Sequence, residues 1–510
     1  MAFQLEPFYK LKCSCNQYPW GKTGSESISA RLCAKQVGYD NQEKLGDFKI
    51  DEKTSYAEMW MGTYPVLPSY IAESDEMLQD LIDKHPDQLM GKAVQEKFGH
   101  ANLQFLPKVL SIAKALPLQL HPNKDLAAKL HKENPDQFTD PNHKPEIALA
   151  LGEFEAFCGF KELAQIEKLM QIDALKTYLP SNSDGREFDD QVLKGIVGNM
   201  LHADDQRVKE TYSALTSLSE DRFAGDTYIP KLAPRLAEQY SESDPGLLVA
   251  LITMNYLVLQ AGESIYIPAD GIHAYLSGDI IECMARSDNV LNTGFCPRAD
   301  RDNVDLFTSC LTFAPHSAEE CKLKRETYEK SKNGKTVLFA PPLSEFDALE
   351  TNLKGGDKEE LGAINGPAIL LATKGGATMK AKGKTVDLHE GACYFVAQGV
   401  ELELEGGKEG LLMHTFFQSL NCSMQLVPTF MSSTIARRMP RAIDEGTCEI
   451  DESNNQVATY DALSAVPHRA AHYDTSQISP VCRRATLRTL ARANNDGQAL
   501  NRGNGRDSDP

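Results

Sequence analysis

Tryptophan is scarce: two residues in 510. No apolar run approaches the ~20 residues that cross a bilayer. Basic residues are outnumbered, 53 Lys and Arg against 72 Asp and Glu, for a net charge of −19. Nucleic acid and anionic membrane both select a basic face, so neither is expected as a partner. A small anion remains possible, because a few local cations can reverse the field inside a cleft. Residues 1–10 show no basic segment leading into an apolar one, so no secretory leader is expected. The 12 cysteines are scattered and read as reduced thiols of a cytoplasmic protein. Cys13 and Cys15 sit too close for the usual zinc spacing of about two to four intervening residues.

What is present suits a globular protein: 41% hydrophobic and 25% charged residues, in a chain long enough for two to four domains. Residues 1–70 carry turn and strand signals, and 74–131 look more helical, including the apolar stretch Lys108 to Leu116. Leu118-Gln-Leu-His121 then alternates as a strand does, until Pro122 ends the pairing. From Lys161 to about Ile252, apolar residues recur at spacings of three and four, as in helices. Strand character returns at Leu257–Met284, broken by Gly262, Gly271 and Gly278, and again at Ile369–His414. The stretches beginning Ala261-Gly262 and Glu390-Gly391 share a pattern, which suggests a repeated jelly-roll unit, the second without the histidine. The expected fold is mainly β with an α insert. A discontinuous cupin-like domain (1–155 and 255–330) surrounds a helical insert (156–254). A second jelly roll without metal ligands (331–418) and a disordered tail (419–510) follow.

Gln119 and His121 leave one face of a strand and can share one ion. Asp140-Pro-Asn-His-Lys-Pro-Glu146 is a polar run closed by a carboxylate. The glycine–proline turn at 262–271 leads into His273. Two imidazoles, a carboxylate and an amide oxygen suit Zn²⁺ with a position left for substrate. Singly, each residue has a plainer reading as a hydrogen-bonded strand histidine or a solvated loop.

These motifs resemble type I mannose-6-phosphate isomerases of the cupin superfamily. The matching runs are Tyr18-Pro-Trp-Gly21, Trp60-Met-Gly-Thr63, Gln119-Leu-His-Pro-Asn-Lys124, 140–146, Ile267-Pro-Ala-Asp-Gly-Ile-His273-Ala-Tyr and Glu282-Cys-Met-Ala-Arg-Ser-Asp-Asn289. They span residues 1 to about 415. The resemblance implies one zinc ion per chain on Gln119, His121, Glu146 and His273. It also implies interconversion of mannose 6-phosphate and fructose 6-phosphate, feeding GDP-mannose and protein glycosylation, in a cytoplasmic monomer. Three departures stand out. Asn292 occupies the position of the family's catalytic arginine, and Arg298 that of a following lysine. Pro117 stands where the family often has serine. The tail is unlike the family's ending, as a divergent or mis-spliced terminus would be.

An enediol mechanism needs a Lewis acid, a base and a cationic grip on phosphate. Glu282 is the leading base; its alternative role is as partner to a nearby cation. Lys144, Arg298 and Lys108 are candidates for holding phosphate or neutralising the enediolate. Arg286 and Arg301 could replace the missing arginine's charge, and Lys124 reads equally as a surface charge. Trp20 lines the pocket or belongs to the core, and Asp288 is a substrate-binding candidate. The competing readings are a metal-binding cupin that holds sugar phosphate without catalysis, and an iron cupin dioxygenase, which the amide ligand disfavours.

Overall fold

The structure is a computed structural model that describes residues 5–36, 48–181, 183 and 185–418. The expected tail lies outside these residues. No described helix is long and apolar enough to cross a membrane.

Two large antiparallel sheets carry the fold. The first has eleven strands, seven of them in the order Lys322–Leu323, Ser264–Ile267, Glu146–Ala150, His273–Ala285, Phe105–Ile112, Glu58–Trp60 and Ser14–Asn16. The long strand His273–Ala285 serves two sets of neighbours. Its second half pairs with Phe105–Ile112 and Glu146–Ala150, and its first half with Phe154–Phe160 and Leu118–Leu120. Gly278 marks the change of partners. Its φ is +118°, and a Cβ there would lie 2.5 Å from the Glu153 carbonyl oxygen, so the bend has room only for glycine.

Phe105–Ile112 is a strand, where the sequence suggested helix. All eight of its residues are buried. A strand covered on both faces reads as a continuous apolar run, which periodicity cannot separate from a buried helix segment.

The 161–252 region is helical as expected. Helices Asp190–Leu201, Asp205–Thr216 and Pro245–Thr253 start at Asp189, Asp204 and Asp244, whose carboxylates accept from backbone N–H groups of the first turn. Such caps satisfy donors that have no partner within the helix. Helix Pro245–Thr253 is buried throughout and joins the helices to the first sheet in one apolar cluster.

The second sheet has ten strands, eight of which run Glu326–Thr327, Thr336–Phe339, Asp347–Leu353, Leu402–Phe417, Ala368–Ala381, Cys393–Val396, Phe8–Lys12 and Tyr70–Ile71. Its last two members differ from the sequence grouping. Phe8 pairs with Val396 and Lys10 with Tyr394, so the N-terminal strand completes the C-terminal sheet. Gly262 and Gly391 both hold positive φ, +85° and +88°, each just ahead of a short strand, as the suggested repeat requires.

Candidate metal centre

Strand register gathers the site. Gln119 stands opposite His273 on one side and opposite Asn292 on the other. Directly opposed residues of antiparallel strands project to one face, so these three form a row. His121 follows two residues after Gln119. The turn before His273 is tied to His121: Asp270 sits in the left-handed region at φ +61°, and its N–H donates to the His121 carbonyl. Glu146 opens the neighbouring strand.

His121, Glu146 and His273 converge, with their ligand atoms all within 4.8 Å of one another. His121 and His273 are fully buried and Glu146 is 2% exposed. His121 Nδ1 donates to the Asn289 carbonyl at 2.7 Å, and His273 Nδ1 to the Gly271 carbonyl at 3.0 Å. A carbonyl only accepts, so the proton of each neutral ring is on Nδ1 and Nε2 presents a lone pair. Neither Nε2 has a hydrogen-bond partner. His121 Nε2 nevertheless lies 3.1 Å from Glu146 Oε1, and His273 Nε2 3.7 Å from Oε2. Burial, with Lys144 nearby, holds the His121 pKa down to about 4; burial also lowers that of His273. At neutral pH two lone pairs therefore face a carboxylate, an arrangement that calls for a cation among them. The donor set fits a divalent metal of the zinc type, with the Nδ1 contacts fixing the ligand tautomer.

The 140–146 loop is fastened by the residues after strand His273–Ala285. Asn289 Nδ2 donates to the carbonyls of Asp140 and Asn142 at 2.7 and 2.9 Å, Ser287 Oγ to that of Asn142 at 3.1 Å, and the Asp288 N–H to the Asp140 carboxylate at 2.9 Å. Lys144 Nζ lies 3.6 Å from Glu146 Oε1.

Beside this centre a second row crosses the sheet, with Trp60 opposite Lys108 and Lys108 opposite Glu282. Lys108 Nζ is 3.1 Å from Glu282 Oε2 and 4.9 Å from the Trp60 ring. Both charged residues are buried, at 6% and 5% exposure. Burial and the neighbouring Glu146 raise the Glu282 pKa to about 7, against the pull of Lys108 and Lys144. Burial works to lower the Lys108 pKa, but Glu282, Glu58 and Glu146 outweigh it and the net shift is upward.

Other expected residues lie elsewhere. Arg298 is exposed and ion-paired with Asp205. With Arg301 and Lys114 it lines a separate pocket of about 390 Å³. Arg301 is paired to Asp244 at 2.9 Å. Arg286 donates to Thr63 and covers the Tyr64 ring. Trp20 is half-buried, stacked on Tyr18 and packed against a core cluster of the first sheet. Asn292 is 6% exposed, and its Oδ1 has no hydrogen-bond partner.

Sequence reasoning missed Glu58, Tyr275 and Asn289. Glu58 accepts from Trp60 Nε1 at 2.6 Å, and Tyr275 donates to Glu146 Oε2 at 3.2 Å. The alternation Glu58-x-Trp60 and His273-x-Tyr275 carried the signal for the first two. Asn289 supports the centre through its backbone carbonyl, which leaves no trace in side-chain type.

Residues 8–163 match a family model described as phosphomannose isomerase type I, catalytic domain, and residues 336–384 one for the type I C-terminal region. The mannose-6-phosphate isomerase of Saccharomyces cerevisiae is 36% identical over 436 residues, covering 81% of this chain and 99% of that protein. The chain belongs to the mannose-6-phosphate isomerase family. The Schizosaccharomyces pombe member is 35% identical over 80% of this chain and 99% of its own length. Among solved structures, the apo mannose 6-phosphate isomerase of Salmonella typhimurium matches with a TM-score of 0.66 at 25% identity, over 82% of this chain and all of that one. A mannose 6-phosphate isomerase bound with zinc and yttrium matches with the same TM-score and identity. In this chain the strands that carry Gln119, Glu146 and His273 belong to the eleven-stranded sheet described above.

Proposed function

We propose that this protein interconverts mannose 6-phosphate and fructose 6-phosphate through an enediol, with one zinc ion held by His121, Glu146, His273 and Gln119. The observation that carries the reading is the convergence of two tautomer-locked, unpartnered Nε2 atoms on a buried carboxylate, in a chain that matches mannose-6-phosphate isomerases over 99% of their length. Bound zinc would act as a Lewis acid at the sugar's C1 and C2 oxygens.

The remaining work falls to the protein's own groups. Glu282, with a pKa near neutrality, can take a proton from one carbon and return it to the other, since a base poised near working pH does both. Lys108 stays charged beside it and offsets the negative charge that develops on the substrate. Lys144 is placed to donate to a sugar oxygen next to Glu146. Trp60 closes the apolar side of Lys108. Arg298 is assigned to the phosphate on its sequence position alone: it is exposed, ion-paired with Asp205 and lines a pocket apart from the metal centre. Asn292, buried with a spare acceptor, offers a neutral amide in the row that includes Gln119. Asp288 fastens the 140–146 loop through its backbone and is assigned to the substrate's approach. A sugar-phosphate-binding cupin without catalysis is not favoured. The reading places the protein in the cytoplasm as a monomer.

Purified protein should isomerise mannose 6-phosphate, lose activity on chelation and regain it with zinc. His273→Ala should lose both zinc and activity, and activity indifferent to chelator and to this substitution would refute the metal assignment. Arg298→Ala should raise KM; an unchanged KM removes it from the phosphate.

A further inference from the structure

One buried carboxylate near the metal centre comes from the other sheet. Glu345 lies in the segment between strands Thr336–Phe339 and Asp347–Leu353 and is 3% exposed. Its Oε1 accepts from His143 Nε2 at 2.7 Å, and His143 belongs to the loop that carries Lys144 and Glu146. Its Oε2 accepts from the Ser344 N–H at 3.0 Å, with the Ser344 hydroxyl at 3.4 Å. One oxygen is thus anchored to its own backbone and the other reaches across.

The charge of Glu345 is felt on all three ligand-bearing segments. Burial would raise its pKa, but His143, the Ser344 N–H and Lys124 outweigh that and keep it ionised. Lys124 follows His121 by three residues. Tyr266 precedes the turn to His273, and its hydroxyl is pushed up by burial, by Asp270 and by Glu345. A buried carboxylate without partners would be strongly destabilising. Glu345 is tolerated because its partners are in place, and holding them is what it does.

We propose that Glu345 is a positioning residue for the metal centre: through His143 it locks the 140–146 loop so that Glu146 and Lys144 face the two histidines. The second sheet then contributes to catalysis without touching substrate. Groups bonded directly to a metal's ligands typically govern about 10- to 100-fold in affinity or activity; Glu345 and His143 act one contact further out, through the loop, and the lower end of that range, about tenfold, is expected.

This rests on the zinc isomerase reading, and the test separates the two. Full-length wild type, Glu345→Gln, His143→Gln and the double variant are loaded with zinc. Zinc loss to a chromogenic chelator, kcat, KM and the melting temperature of the metal-free form are then measured. Each single variant should shed zinc about tenfold faster and lose kcat, with KM little changed and the metal-free melting temperature near wild type. The double variant should be no worse than the more severe single one, because both act through one contact. Zinc loss within twofold of wild type in Glu345→Gln, or losses that multiply in the double variant, would overturn the proposal. Should Glu345→Gln not fold, His143→Gln decides alone by the same zinc-loss criterion. A wild type that neither holds zinc nor isomerises sinks the parent reading, and the positioning role with it.

Discussion

The pairing of Glu282 with Lys108 sets the pH behaviour of the site. Glu282 must be ionised to accept a proton, and its pKa is raised to about 7 by burial and Glu146. Bound zinc favours the carboxylate, so activity of the zinc-loaded enzyme should rise through a single limb below pH 7 and flatten above it. Glu282→Gln should remove the limb together with the activity. A Glu282→Gln variant that keeps the activity and its pH limb would rule out Glu282 as the base. Asn292 gives a second prediction. It lies in the Gln119–His273 row, and its backbone N–H donates to the Asp302 carboxylate at 2.7 Å. A cation placed there would face developing negative charge, with Asp302 near to accompany it. Asn292→Arg should raise kcat/KM by about tenfold or more; no gain would mean that Lys108 and Lys144 already supply the charge. At this scale the residues that converge, His121, Glu146 and His273, were legible in the sequence because each belongs to a short contiguous motif. Glu345 was not, because what gives it its role is His143, in a loop far away in the chain.

Among the elements, strand His273–Ala285 has the most to lose. It carries His273 at one end and Glu282 near the other, and its bend at Gly278 sets their relation. A Cβ at Gly278 would meet backbone atoms of Glu153 and Phe154 at 2.5 and 2.8 Å, which no rotamer can relieve. Gly278→Ala should cost about 1–3 kcal/mol, read as a lower denaturant midpoint at unchanged slope, and should also slow the enzyme by shifting Glu282 against the metal. Stability and kcat both equal to wild type would show that the bend is not constrained. The helical insert could be read directly, since its periodicity and its capping aspartates are local signals. Phe105–Ile112 could not, since burial on both faces removes the alternation that identifies a strand. The fusion of the N-terminal strand with the C-terminal sheet was also hidden: strand pairing over such a separation leaves no mark on the composition of either partner.

For the whole molecule, the metal should act as a staple. His121, Glu146 and His273 come from three separate stretches, and only the folded chain gathers them. Any ligand that binds the folded state alone raises its stability by RT ln(1 + [L]/Kd), about 2.7 kcal/mol at a hundredfold excess over Kd. The melting temperature of the metal-free protein should climb with added zinc, and His273→Ala should flatten that response. A melting temperature blind to zinc in the wild type would place the ion, if bound at all, away from these three residues.

The pairing of Phe8–Lys12 with Cys393–Val396 bears on how the molecule is born. Ribosomal synthesis delivers the first of these strands early and the second almost at the end of the described chain. In the interval Phe8, fully buried when folded, has no sheet to enter. The first sheet can assemble while its future neighbour is still being translated, but the N-terminal segment must wait, its edge open to wrong partners. A nascent chain of this kind stands to gain from an escort that shields its first dozen residues until the last strands emerge.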